Sequence, residues 1–378
     1  MRDRFTLLMV SDSGPGALGG AETSLERLTE ALRDRGHEVL RGYAEAGPAP
    51  VPPTDLLFDL PQPQTRFRLP RPGYLINALQ GLAQLRRTLK ERKPDAVCLH
   101  YVTARAGYLL ALRPAFGYAL LLSARGSDLL RPRPFDRRLL PALLQRADGV
   151  VALSEALSHA VEDLTSAPPP PVVYNGVDTE FWSPARSTPP VVPTVISVGR
   201  LEHVKGHDVL INAMQPLREA IPDVRLILVG DGSRRQKLVE QVHALGLDRN
   251  VVFPGALTQA DVRRRLREST VFCLPSRSEG LSNALLEALS TGVPAVASDV
   301  GGIPEVLAGG GGTTVAAEDP HALASALAAL IRDADAREQA ARAARENACS
   351  WSWAAAAESF ERAVYQAIDA RQAQRDLA

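Results

Sequence analysis

The chain has 378 residues, 45% of them hydrophobic, with 43 basic and 43 acidic side chains. That length suffices for two domains with separate cores, and the balanced charge argues against nucleic acid as a bulk partner. Cys98, Cys273 and Cys349 form no Cys-x-x-Cys pair and no apolar run is long enough for a signal-peptide core or membrane span, so a soluble cytoplasmic protein without a zinc site is expected.

Short apolar runs alternate with amphipathic stretches along the chain. FTLLMV, HEVLRGY, DLLFDL, DAVCLHY, YALLLSA, GVVALS and PVVYNG read as strands of the first half, and TVISVG, VRLILVG, NVVFPG, VFCLPS and PAVASD as strands of the second. Continuous hydrophobicity suits parallel strands covered on both faces by helices, such as those predicted over AETSLERLTEALRDRG and HDVLINAMQPLREAI. The predicted fold class is α/β, with two doubly wound Rossmann-like domains. The proline-rich stretch 167–193 places the joint near Ser183–Pro193, which divides the chain into 1–187 and 188–355. A second proline-rich stretch, 47–74, reads as a surface excursion. The tail WSWAAAAESFERAVYQAIDA reads as a helix anchored by Trp351 and Trp353.

The stretch SRSEGLSNALLEALSTGVP holds Glu279 and Glu287 eight positions apart. Gly292 and Pro294 end a helix that Ser282 or Asn283 can cap at its start. The backbone N–H groups of Gly280, Leu281, Ser282 and Asn283 then form an anion site. Carboxylates beside a bound phosphate suit hydroxyls, a ribose diol on one side and a sugar on the other, although most glutamates are solvated surface charges. SVGRLEHVKGHDVL adds Arg200 and Lys205 on the loop after a strand, where both can offset a diphosphate. Gly230, in VGDG, lets backbone approach a ligand. GPGALG (Gly14–Gly19) fits the dinucleotide pattern G-x-G-x-x-G, but it begins late after its strand and no acidic residue ends the next one. The better anchor is GGAE, where Gly19 and Gly20 open a helix.

Together these stretches resemble the retaining GT-B glycosyltransferases of family 4. The resemblance runs nearly end to end, through GGAE, RGSD, NGVD (Asn175–Asp178), VGRLEHVKG, VGDG, PSRSEGLSNALLEA and ASDVGGIPEV. It implies two domains facing across a cleft, with the tail helix from about Ala356 (356–378) returning to the first. It also implies a UDP-sugar or GDP-sugar donor. Glu287 would hold the ribose, Glu279 the sugar, and Arg200 and Lys205 the diphosphate, with no metal and no cofactor. The Asp333–Asp335 DAD lies in a charged helical region and reads as surface. Where many relatives carry histidine this chain has Arg125, which stays protonated and can donate but cannot act as a base. Asp128 in the same turn is expected to fix the loop or touch sugar, and His100 to touch acceptor or donor sugar. The acceptor is left open between a sugar, a glycan and a lipid-linked molecule. Basic clusters at Arg66, Arg68 and Arg71 and along Arg131, Arg133, Arg137 and Arg138, followed by Leu139, Leu140, Leu143 and Leu144, admit a peripheral membrane contact. The alternatives are a sugar-nucleotide epimerase of the same fold, a silent sugar-nucleotide-binding partner, and a nicotinamide oxidoreductase resting on Gly14–Gly19 alone.

Overall fold

A computed structural model describes residues 4–15, 20–62, 72–184 and 192–377. The chain folds as two compact units, Met1–Asn175 together with Trp353–Ala378, and Gly176–Ser352.

The first unit runs β1 (Thr6–Ser11), α1 (Gly20–Asp34), β2 (Glu38–Tyr43), β3 (Leu56–Leu57), α2 (Pro72–Arg92), β4 (Ala96–His100), α3 (Ala106–Phe116), β5 (Ala119–Ala124), α4 (Ser127–Leu130), α5 (Pro134–Arg146), β6 (Gly149–Ala152) and α6 (Glu155–Thr165). Its sheet has the order β3-β2-β1-β4-β5-β6, and every neighbouring pair is parallel. All residues of β4 and β5 are buried, as their unbroken apolar runs require.

One expected strand is absent. PVVYNG contributes only an isolated bridge between Val172 and Ala152, because the prolines before it have no N–H with which to extend a ladder. Leu140, Leu143 and Leu144 of α5 are buried, so that helix turns its apolar stripe inward, while Arg131, Arg133, Arg137 and Arg138 stay exposed. Among the described residues no helix is long and apolar enough to cross a membrane.

The second unit runs β7 (Thr194–Val198), a 3-10 turn (His203–Lys205), α7 (His207–Ala220), β8 (Arg225–Val229), α8 (Arg235–Ala244), β9 (Val251–Gly255), α9 (Gln259–Arg267), β10 (Val271–Leu274), α10 (Asn283–Ser290), β11 (Ala295–Ser298), α11 (Ile303–Leu307), β12 (Gly312–Val315), α12 (Pro320–Arg332) and α13 (Ala334–Cys349). Its sheet has the order β12-β11-β10-β7-β8-β9. Leu210, Ile211, Met214 and Leu217 of α7 pack with Leu323 and Leu327 of α12 in the core over it.

Residues 176–184 go with this unit because arginines hold them there. Arg345 donates to the carbonyls of Thr179 and Trp182, Arg267 to that of Ser183, and Arg263 lies over the Phe181 ring. The final helix, α14 (Trp353–Asp376), returns to the first unit. Its Ala357, Phe360 and Val364 pack with Leu7, Met9 and Leu121.

Candidate functional site

The strand order of the second, all-parallel sheet reverses between β7 and β10, since β8 and β9 lie on one side and β11 and β12 on the other. Ligands of doubly wound sheets bind beyond the carboxyl ends of the strands at such a point. Lys205 follows β7, Glu279 follows β10, and their side chains meet there: Lys205 Nζ donates to Glu279 Oε1. Ser276 Oγ donates to the same oxygen at 2.8 Å. Two glycines make the approach possible. At Gly206, with φ of 65°, a Cβ would lie 1.9 Å from the Pro275 carbonyl oxygen, and at Gly301, with φ of 55°, a Cβ would lie 1.8 Å from that of Glu279. Both positions combine left-handed backbone with no room for a side chain.

Arg200 stands on the same rim. Its side chain is exposed and makes no hydrogen bond among the described residues. Its loop is tied to the end of β8, where Leu201 N–H donates to the Asp231 carbonyl at 2.9 Å and Gly230 sits against the Gly199 carbonyl. Lys205 lays its aliphatic stem near Gly199. The loops carrying Arg200, Lys205, Gly230 and Glu279 thus form one connected surface.

Helix α10 begins beside it. Ser282 caps the helix by accepting from Leu285 N–H, and Leu281 and Ser282 are buried. The Gly280 carbonyl accepts from Gly302 N–H at 3.1 Å. Glu287 lies a turn farther along, half-buried, with no side-chain hydrogen bond or ion pair among the described residues. Desolvation pushes its carboxyl up to about 7. A carboxylate so placed is poised to accept from hydroxyls that a ligand brings.

The remaining expected residues lie in the first unit. His100 ends β4; it is buried, stacks on Phe360, and burial holds its imidazole well below the ordinary value. Arg125 is half-buried and donates through Nη2 to Asn175 Oδ1 at 3.0 Å; burial lowers its affinity for the proton. The Asp128 carboxylate accepts from the backbone N–H groups of Val102 (2.8 Å), Gly126 (2.8 Å) and Arg125 (3.1 Å). It therefore pins the loops after β4 and β5 together. Gly20 is the first residue of α1, while Gly19 lies outside the described residues.

Two clusters escaped the sequence reading. Arg105, 3% exposed, donates to Asp12 (2.9 Å), Glu45 (2.6 Å) and the Leu60 carbonyl (2.6 Å). This joins the segments after β1, β2, β3 and β4, and no motif around Arg105 signals it. Arg277, two residues before Glu279, carries a second network described below.

Two family models together match residues 18–347 of the chain. Glycosyltransferase Family 4 covers residues 18–181, and Glycosyl transferases group 1 covers residues 178–347. This chain belongs to glycosyltransferase family 4. The enzyme is 26% identical over 375 residues to a glycogen synthase of Mycobacterium tuberculosis, covering 91% of this chain and 90% of the relative. It is 29% identical over 368 residues to a phosphatidyl-myo-inositol mannosyltransferase of Mycobacterium leprae, covering 93% of each. The solved structure of Anabaena Alr3699/HepE in complex with UDP matches with a TM-score of 0.77 at 22% identity, over 94% of this glycosyltransferase and 98% of that chain. That likeness shows the shared GT-B fold of two Rossmann-like units.

Proposed function

We propose that this glycosyltransferase takes a hexose-type sugar from a UDP- or GDP-linked donor and passes it, with retention of configuration and without a metal, to a hydroxyl of a sugar, glycan or lipid-linked acceptor. The observation that carries the reading is the meeting of Lys205 and Glu279 at the reversal point of the second sheet, with Arg200 on its rim and the start of α10 beside it. Loss of a nucleoside diphosphate builds negative charge on the β-phosphate. Two cations and a helix N-terminus stabilise that charge in place, which is the work a metal does in other transferases. In this reading Lys205 exchanges Glu279 for the diphosphate, and Glu279 turns to the sugar hydroxyls. Glu287 takes the ribose diol, which draws its carboxyl towards the ionised form. The N–H groups of Gly280, Leu281, Ser282 and Asn283 assist at the phosphates, and Gly230 lets the nucleotide lie close to backbone.

No base is required. The acceptor hydroxyl attacks on the face that the diphosphate leaves, and a phosphate oxygen takes its proton. Arg125, charged at neutral pH, donates to sugar or phosphate oxygens. The test is turnover of UDP- and GDP-sugars with EDTA present, with the anomeric configuration of the product read by NMR. Full activity in EDTA with a retained anomer is expected; loss of activity on chelation, or an inverted product, would overturn the mechanism.

A further inference from the structure

We propose that Arg277 is a positioning residue of the donor site: it locks the turn that presents Lys205 to the loop that presents Glu279. Lys205 ends a three-residue 3-10 turn, too short to fix a long cationic side chain by its own hydrogen bonds. Arg277 supplies the missing restraint. Its Nη1 donates to the His203 carbonyl at 2.7 Å and to Asp208 Oδ1 at 2.8 Å. Its Nη2 donates to Asp208 Oδ2 and Glu318 Oε2, each at 2.9 Å, and its Nε donates to Glu318 Oε1. A guanidinium has five N–H donors, and here each has a partner. The backbone N–H of Arg277 adds a bond to the Val204 carbonyl at 2.8 Å.

These partners come from three elements. His203 and Val204 belong to the turn itself, Asp208 to the first turn of α7, and Glu318 to the loop after β12. Glu318 holds a left-handed φ of 64°, a conformation costly for a glutamate and kept only where the surroundings require it. The Arg277 side chain is 11% exposed and Asp208 25%, so that pair is screened less than a surface pair, whereas Glu318, 55% exposed, makes the weaker contact of the two. Burial opposes ionisation of Asp208, yet the Arg277 fork outweighs it and holds Asp208 below its ordinary range. A lysine at this position has three donors on one atom and cannot serve two carboxylates and a carbonyl in this planar arrangement.

The inference rests on the reading above that Lys205 binds the diphosphate. It is tested by a double-mutant cycle of Arg277→Lys and Lys205→Ala, with dissociation constants of UDP, UMP, GDP and GMP measured by titration calorimetry. For whichever diphosphate binds, Arg277→Lys is expected to weaken it about tenfold, the scale of one charge-assisted hydrogen bond. The monophosphate, which lacks the β-phosphate, should change by less than about twofold, and in the Lys205→Ala background Arg277→Lys should add nothing. Glu318→Gln, which removes one fork at an exposed residue, should show the same pattern at smaller size and serves if Arg277→Lys folds poorly. Equal losses for diphosphate and monophosphate, or additive losses in the double variant, would overturn the role of Arg277 alone. Unchanged diphosphate affinity in Lys205→Ala would overturn the donor-site reading and this inference with it.

Discussion

Replacing Glu287 by glutamine is expected to make the ligand-free enzyme more stable and its grip on the nucleotide weaker. The carboxyl is raised to about 7 from its ordinary 4.5 by desolvation alone. At about 1.36 kcal/mol per unit, that gap corresponds to roughly 3 kcal/mol against the ionised folded state. The sign follows from proton counts. Above 4.5 the unfolded chain has released this proton, while the folded chain keeps it until about 7. Between those values the unfolded state binds fewer protons, so stability falls as pH rises, and the whole penalty is present above about 7. Glutamine carries no charge and escapes it. At pH 8 the variant should therefore melt about 5 °C or more above the parent, whereas near pH 5 the two should agree to within about 1 kcal/mol. Thermal and urea denaturation at both pH values, with a UDP and GDP titration alongside, provides the assay. A variant no more stable than the parent at pH 8 would mean that the carboxylate has a compensating partner before any ligand arrives, and the reasoning would be refuted.

Because ribose hydroxyls favour the ionised carboxylate, nucleotide affinity should strengthen as pH rises through about 7 and binding near that pH should release a proton; calorimetry in buffers of different ionisation enthalpy reads this directly. Gly206→Ala forces a Cβ to within 1.9 Å of the Pro275 carbonyl, so turnover should fall by about 100-fold as Lys205 is displaced, measured as kcat/KM on the donor that the parent accepts. Asp128→Ala leaves three backbone N–H groups without their acceptor and should cost about 3 kcal/mol in urea unfolding, with unaltered stability counting against its role as a brace.

How far the residues alone reveal this molecule depends on the range of the interaction. Runs such as AVCLH and ALLLSA are unbroken because both faces of β4 and β5 are covered, and that local pattern makes the parallel sheets legible. The start of α10 is legible for the same reason, since Ser282 caps a bond only three residues away. PVVYNG looked like a strand because its composition is right, but strand formation also needs donors that the preceding prolines lack. The contact of Lys205 with Glu279 spans 74 residues, and the carboxylate partners of Arg277 lie 69 residues before it and 41 after it. No spacing rule connects such positions; the order of strands in the sheet does. Arg105 was hidden likewise, because its carboxylate partners follow β1 and β2 while it follows β4.

The most direct test of the donor site is calorimetric titration of UDP and of GDP into the intact enzyme and into Arg200→Ala, Lys205→Ala and Glu287→Ala. One nucleoside diphosphate should bind per chain, with a loss of about tenfold or more in each variant. Absence of binding by both nucleotides, or binding indifferent to all three substitutions, would contradict the donor-site reading.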